Sequence, residues 1–391
     1  MKKINYAVLG SGRQGVAAAY DLAKNGNANK IILIDINIEL AKSGSVKINK
    51  LLNTNIVKFD SVDVLNEKAI IKILEDIDVF ISAVPYHLNL KLTQIAIKAN
   101  SSMVDLGGHT ENVKEQLKFS KEAKQKNITI VPDCGMGPGM NVSMALLGME
   151  QLEKTSEVRI WDGGLPQNPL PPWNYNLFFH INGLTNEYDG SAYFLKNKKI
   201  NRVKCFENIE IINLKDFKIP FEAAVTSGGL STMPWTFENQ LDILENKTLR
   251  YPGHWEWMKA YRELGLFEEN KINFRGFEIV PREFYHHLLK PKLDKGIIED
   301  VCLMKVECIG YLNGIKTKNI IECVEYFDKD TGFSAMEKWT GWHASIVAIE
   351  IAKNKIPNGA IPIEKALSGS VFYDNSKIRN YNINFHSEEI L

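Results

Sequence analysis

The sequence carries no excess of charge of either sign: 47 lysines and arginines balance 47 aspartates and glutamates. A chain with that balance has no electrostatic footprint for a nucleic-acid backbone or an anionic membrane. Cysteine is scarce. Cys134, Cys205, Cys302, Cys308 and Cys323 are odd in number, form no CxxC pair and have no zinc-ligand spacing with histidine, which argues against a disulfide framework and a structural metal site. They read as reduced thiols. No apolar run approaches the roughly 20 residues that a membrane span needs. The opening MKKINYAVLGSGRQG passes from two lysines straight into a short apolar strand, without the longer apolar region and small-residue cleavage site of a signal peptide. Internal repeats and low-complexity tracts are missing too. The expectation is a soluble, cytoplasmic chain.

What is present is ordinary globular material, 45% hydrophobic and 24% charged, in a chain long enough for two domains. Residues 1–140 alternate short β-rich runs with amphipathic helical stretches. The strand candidates are INYAVL from Ile4, KIILID from Lys30, IVKF from Ile56, DVFISAV from Asp78, SMVD from Ser102 and ITIV from Ile128. Apolar runs buried on both faces and joined by helical crossovers predict a Rossmann-type α/β fold, a doubly wound parallel sheet. After Pro132 the rhythm changes. Residues 141–339 are richer in aromatics, and VRIWDG, IEIINL, VCLMKVECIGYL and NIIECVEYF read as strands, the last two joined at Asn313-Gly314 as a hairpin. From Gly341 the pattern is helical until Pro357, Asn358 and Gly359 stop it. That helix is expected to return to the first layer, so residues 340–380 complete the Rossmann domain around an inserted α+β domain for substrate binding and dimerisation. The tail after Tyr381 is expected to be loosely held.

Gly10-Ser11-Gly12-Arg13-Gln14-Gly15 follows the first strand and opens a helix, and Asp35 ends the second strand twenty residues beyond Gly15. This is the dinucleotide context. Gly10 permits the tight turn, Gly12 lets backbone approach the pyrophosphate, and Gly15 lets helix and strand close up. The helix N-terminus then offers amides and partial positive charge to the phosphates. Asp35 can accept both ribose hydroxyls of NAD and repels the extra phosphate of NADP, so NAD is the expected cofactor. Asp63, with Asp60, follows the third strand on the adenine side or simply caps a solvated loop. Val84 and Pro85 end the fourth strand where the nicotinamide half should cross the sheet.

In open α/β sheets ligands sit beyond the carboxyl ends of the strands, at the switch point. PYHLN, DLGGHT and PDCGMGPGMN end strands four, five and six there and bring Tyr86, His87, Asp105, His109, Asp133 and Cys134 towards one cleft. Oxidising an amine needs a base, a hydride acceptor and then water for the imine. Asp133, His109 and Tyr86 are the candidates for the acid–base work, and Asp105 for substrate contact; the alternative for each is a structural hydrogen bond at a strand end. Cys134 reads as packing. His286 and His287 point to different faces of any helix or strand, so no metal pair is expected.

VDLGGHT (Val104–Thr110), VPDCGMGPGMN (Val131–Asn141), WDGGLPQNPLPPWNYN (Trp161–Asn176), EAAVTSGGLSTM (Glu222–Met233) and KTLRYPGHWE (Lys247–Glu256) resemble, in the same order, the lysine 6-dehydrogenase family among the saccharopine dehydrogenase-like enzymes. The resemblance covers nearly the whole chain. It implies NAD-dependent oxidative deamination of the lysine ε-amine to 2-aminoadipate 6-semialdehyde by a homodimer or higher homo-oligomer. The insertion then needs an anchor for the amino-acid carboxylate. Arg250 is the candidate, because a planar guanidinium pairs bidentately with a carboxylate, and Thr226 and His254 are expected beside it. Trp161, Trp173, Tyr175 and Trp235 serve either as core or as substrate walls. Two alternatives stay open: a saccharopine- or carboxynorspermidine-type dehydrogenase, whose larger pocket needs two or more carboxylate anchors, and a non-catalytic NAD-binding sensor.

Overall fold

The computed structural model describes residues 2–215, 217–296 and 299–390. Six strands, β1 (Ile4–Leu9), β2 (Ala28–Asp35), β3 (Val57–Ser61), β4 (Val79–Ser82), β5 (Ser102–Asp105) and β6 (Thr129–Val131), form a parallel sheet in the order β6-β5-β4-β1-β2-β3. The two-residue strand Gly359–Ala360 extends it beyond β6. Every residue of β4 and β5 is buried, as expected when helices cover both faces of a parallel sheet. The strand order reverses between β1 and β4, which puts the switch point directly above the glycine turn. Among the described residues, no helix is long and apolar enough to cross a membrane.

The helix Arg13–Asn25 packs against β1 and β2 and is itself covered by the helix Ala335–Ala352. Gly341 sets that approach: a Cβ there would lie 2.7 Å from both the Ala18 amide nitrogen and the Gln14 carbonyl oxygen. The covering helix starts six residues earlier than the sequence pattern suggests. Ser334 and Glu337 close a capping box, and both Asp300 oxygens accept the Ala335 and Met336 amides at 2.7 and 2.9 Å. Four orphan donors of the first turn are thereby engaged.

The second sheet contains β7 (Lys154–Pro166), the hairpin β8 (Ser191–Lys196) and β9 (Lys199–Lys204), β10 (Glu210–Ile212), β11 (Phe221–Ala224) and β12 (Ile243–Arg250). A separate hairpin, β13 (Ile272–Phe274) and β14 (Phe277–Ile279), stands off it, and β15 (Asp300–Leu312) and β16 (Ile315–Tyr326) complete the set. The order is β10-β11-β12-β7-β15-β16, and among the described residues of this sheet only β7 and β12 run parallel. Asn313 and Gly314, both with positive φ, form the two-residue turn between β15 and β16. IEIINL shortens to β10, and β12 went unread because Asn246, Lys247, Thr248 and Arg250 make it too polar for a strand pattern. The tail is also corrected. Residues Ile383–Glu389 pair antiparallel with β16, from Cys323 opposite Ile383 to Thr317 opposite Glu389, because β16 would otherwise leave a long row of unpaired backbone groups.

Strand alternation gives this sheet two different faces. Trp161, Leu165, Leu249, Tyr251, Val301 and Leu303 gather on one side. Val158, Ile160, Met304, Val306 and Cys308 point the other way and join the core shared with the helices Met140–Met149 and Ala335–Ala352. The same inward rows continue along β7 and β12 as Asp162, Gly164, Asn246, Thr248 and Arg250. There the face turns polar.

Candidate active site

A cavity of about 780 Å³ lies between that polar face and the carboxyl ends of β4, β5 and β6. Gln14, Val84, Pro85, Tyr86, Gly107, Gly108, His109 and Gly135–Pro138 line it from the first layer. Asp162, Gly163, Gly164, Tyr175, Glu187, Thr248, Arg250 and Arg282 line it from the second. A groove built at a switch point and walled by a second sheet is the usual setting for a dinucleotide and its substrate.

The glycine turn fits a pyrophosphate. Gly10 has φ +95°, and a Cβ on Gly15 would strike the Gly10 carbonyl oxygen at 1.9 Å. Around Gly12, by contrast, a Cβ would meet no protein atom within 4 Å, so its lack of a side chain serves something outside the chain. The helix that starts at Arg13 has no capping side chain and no acid in its first turn, which leaves its amides available to an anion. Asp35 sits over the turn, accepting the Ser11 amide at 2.8 Å through one oxygen and the Asn37 amide at 2.9 Å through the other. The residues after it, Ile36 to Ala41, bring no cation. Arg13 reaches across to the Gly296 carbonyl at 3.3 Å. Asp63 stands exposed, accepting the Leu65 amide at 2.8 Å as a turn-former of its own loop.

Tyr86 and His109 do come together on the cavity rim, their rings stacked at 5.4 Å and nearly parallel. His109 also caps the next helix by accepting the Asn112 amide at Nδ1. The carboxylates at the strand ends face inward instead. Asp105 is fully buried and takes Gly107 N, Asp133 N and Gln116 Nε2 at 2.8, 3.1 and 2.8 Å; burial raises its pKa. It ties the loops after β5 and β6 together and makes no contact with the cavity. Asp133, at φ +59°, lies one layer behind the lining, with Gly107 directly in front of it: a Cβ on Gly107 would meet its Oδ1 at 2.1 Å. Burial and the Asp105 carboxylate push its pKa up to about 7. Cys134 is buried with its thiol pKa raised, chiefly by burial, which makes it inert.

Of the residues assigned to the substrate, Arg250 lines the cavity. It donates from Nε to the Tyr188 hydroxyl at 2.8 Å and from Nη1 to the Leu249 carbonyl at 2.9 Å. Nη2 makes only a long 3.4 Å contact with Glu187, and the guanidinium stacks 4.7 Å from the Tyr175 ring. Thr226 and His254 are corrected to supporting positions. Thr226 is buried against the Thr248 hydroxyl at 2.7 Å. His254 is buried between the Tyr188 hydroxyl and the Trp173 carbonyl, and burial followed by the Arg250 charge lowers its pKa to about 3.

Asp162 and Glu187 were missed. Asp162 lies beside Thr248 in the β7–β12 register, and Oδ2 accepts amides from Asn141 at 3.0 Å and Asn246 at 3.1 Å. Burial pushes its pKa up to about 7 against the pull of those amides. The signal was present in the sequence: ILENKTLR and VRIWDGG alternate in phase once they are paired. Glu187 lies in the last turn of the helix Ile181–Tyr188, and burial raises its pKa. Arg282 reaches the cavity but is committed to Asp189, Glu269, Asn186 and the Phe267 carbonyl at 2.6–2.9 Å. Among the described residues no His, Cys, Asp and Glu cluster could hold a metal ion.

Comparison with known proteins gives two domain matches. Residues 6–131 match the saccharopine dehydrogenase NADP binding domain, and residues 135–375 match the saccharopine dehydrogenase C-terminal domain. The chain is 25% identical over 277 residues to saccharopine dehydrogenase (NADP(+), L-glutamate-forming) of Saccharomyces cerevisiae, across 68% of its own length and 59% of that relative's. The chain thus spans under two thirds of that curated relative. The fold resembles apo saccharopine dehydrogenase (L-Glu forming) from S. cerevisiae, with TM-score 0.77, 18% identity and coverage of 99% and 100% of the two chains. It also resembles homospermidine synthase from Legionella pneumophila in complex with NAD, with TM-score 0.67, 12% identity and coverage of 99% and 93%. At these identities the two structures speak to the fold.

Proposed function

The chain belongs to the saccharopine dehydrogenase family, and from that premise we propose that it is an NAD-dependent oxidoreductase that oxidatively deaminates the ε-amine of L-lysine. The product after hydrolysis is 2-aminoadipate 6-semialdehyde. The observation that carries this reading is the charge distribution of the cavity. Asp162, Glu187, Glu111, Asp189 and Glu269 line it against two guanidiniums, Arg250 and Arg282, and Arg282 is already engaged by two carboxylates. With Asp189 and Glu269 engaged by Arg282 and Glu111 paired with Lys114, one guanidinium, Arg250, is left beside two carboxylates, Asp162 and Glu187, which suits a ligand with one carboxylate and a net positive charge. Lysine is such a ligand; saccharopine, with three carboxylates and two amines, is not.

NAD supplies the hydride acceptor when bound. The chain's own residues do the rest. Gly12 and the free amides after it hold the pyrophosphate, and Asp35 takes the ribose hydroxyls where the phosphate of NADP would meet a carboxylate. This preference differs from the NADP(+) in the name of the yeast relative, and the run from Ile36 to Ala41 without a cation supports it. Gly107, Gly108 and Gly135–Pro138 form a smooth wall beside the reacting carbon, and Arg250 holds the substrate carboxylate. Tyr86 and His109 cover the rim and keep water out until the imine has formed. A cytoplasmic setting accords with five buried, unpaired thiols. We also propose that the exposed apolar side chains of the β13–β14 hairpin and the helix after it, Phe274, Phe277, Phe284 and Leu288, meet a second copy in a homodimer.

Arg282, a second guanidinium in the cavity lining, favours one second reading. If a substrate carboxylate displaced Asp189 or Glu269 from it, the cavity would hold a secondary amine with two acidic arms, as in saccharopine. Absorbance at 340 nm with NAD and a panel of lysine, ornithine, saccharopine and carboxynorspermidine separates the two. Turnover of lysine is expected. Turnover of saccharopine without turnover of lysine overturns the first reading, and NAD binding without turnover of any amine would make the chain a sensor.

A further inference from the structure

We infer that Asp162 is the catalytic base of this cavity: its carboxylate receives the substrate ammonium at Oδ1 and takes a proton from it, while Asn141 and Asn246 act as positioning residues that fix Oδ2. The inference rests on the proposed amine oxidation and names a residue for it.

Five observations on the geometry converge. Asp162 lines the cavity, whereas Asp105 and Asp133 do not. Its Oδ2 is held by two side-chain amides, and among the described residues no protein donor reaches Oδ1. The holder is itself fixed. Asn141 donates its second N–H to the Gly229 carbonyl at 2.8 Å, and its Oδ1 accepts the Gly139 and Val142 amides at 3.1 and 2.8 Å, so every bond that this side chain can make near the site is used. The loop after β6 reaches the carboxylate directly, since a Cβ on Gly137 would lie 3.2 Å from Oδ2. Asp162 thus faces the loop that should border the nicotinamide. Finally, the two residues after it, Gly163 and Gly164, line the same cavity, with Met336 seated against Gly164.

The step balances. The ammonium gives one N–H proton to Asp162 Oδ1 and becomes a neutral amine. Its lone pair forms the C=N bond as the adjacent C–H leaves as hydride to NAD; water then adds to the iminium carbon, the tetrahedral adduct collapses to the aldehyde and ammonium, and Asp162 returns its proton to solvent. Two electrons leave the substrate and two reach the nicotinamide. The groups facing Asp162 set its affinity for the proton. Glu187 on the helix Ile181–Tyr188 raises it, Arg250 on β12 lowers it together with the Asn141 and Asn246 amides, and Thr248, Met304 and Cys302 are the neighbours on β12 and β15. Burial is the largest influence, and it brings the group to about 7, which suits a base working near neutrality.

The test has a binding arm and a turnover arm. Calorimetry with NAD absent compares lysine, ornithine and putrescine with norleucine, which has the lysine skeleton without its ε-amine. Wild-type protein should bind at least one of the amines more tightly than norleucine, and Asp162→Asn should abolish that margin without changing NAD affinity. The variant should turn over at least about 100-fold more slowly and lose the acidic limb of the kcat/KM profile. Asn246→Ala should keep that limb and move it up by about one pH unit, since one hydrogen bond to the charged form is gone. A positioning role predicts that shift; a merely structural one does not. Wild-type protein that binds none of the amines overturns the inference and the reading beneath it together. An amine margin that survives in Asp162→Asn, or turnover within threefold of wild type, overturns the inference alone.

Discussion

Replacing Gly12 with alanine should weaken dinucleotide binding and leave the fold almost untouched, while the same change at Gly15 should do the reverse. Gly12 has φ −71° and ψ −176°, a conformation open to any residue, and its Cβ would meet nothing in the protein. The cost to the apo fold is that of exchanging glycine for alanine at a helix N-cap, about 1 kcal/mol or less. A methyl group in that space would stand where the pyrophosphate must approach the amides after Gly12. Losing one charge-assisted hydrogen bond of about 1.5–3 kcal/mol weakens binding roughly 10- to 150-fold. At Gly15 the new Cβ would lie 1.9 Å from a backbone oxygen. Overpacking of that kind costs about 1–3 kcal/mol or more, or about 2–4 °C of Tm per kcal/mol in a domain of 150–250 residues. Calorimetric titration with NAD and thermal melts without it read the two effects apart. Wild-type NAD affinity in Gly12→Ala would refute the assignment of the glycine turn to a ligand.

Asp35→Ala should weaken NAD binding and narrow the discrimination against NADP; an unchanged ratio of the two Kd values would remove Asp35 from the ribose site. Gly341→Ala should cost about 1–3 kcal/mol in thermal unfolding, since its Cβ would meet backbone atoms of the dinucleotide helix, and a wild-type Tm would contradict that close approach. Asp133 has its folded-state pKa raised to about 7, so the folded chain binds a proton that the unfolded chain has released. Stability from this group is present below about pH 4 and is lost as pH rises to about 7. Asp133→Asn, which keeps a side chain tolerant of positive φ, should therefore melt increasingly above wild type between pH 5 and pH 8. A constant difference across that range would show that the carboxyl is not held protonated. Turnover in that variant should fall far less than in Asp162→Asn.

The first layer was legible because each of its elements is announced by its own residues. INYAVL, the glycine turn and Asp35 are contiguous signals, and strand order follows from handed crossovers. The second sheet was less so. A strand such as ILENKTLR makes sense only beside VRIWDGG, where Asn246, Thr248 and Arg250 fall in phase with Asp162. Topology did bring Asp105, Asp133 and His109 to one edge of the sheet, but topology does not say which way a side chain turns. The left-handed backbone at Asp133 and the three donors around Asp105 aim both carboxylates into the protein. His254 was misjudged for a similar reason: nearness in sequence to Arg250 placed it correctly, yet its ring is spent on Tyr188 and Trp173.

Because Ala335–Ala352 is the cover of the dinucleotide helix, the first layer cannot be finished until that late segment has left the ribosome. Through most of synthesis the side of Arg13–Asn25 that carries Ala17 and Ala18, where Gly341 seats, lacks its cover, and unpartnered apolar surface on a partly made chain invites aggregation. A fragment cut after the sixth strand would carry the nucleotide turn and still be expected to precipitate, whereas supplying the return helix as a fused segment should restore a soluble nucleotide-binding unit.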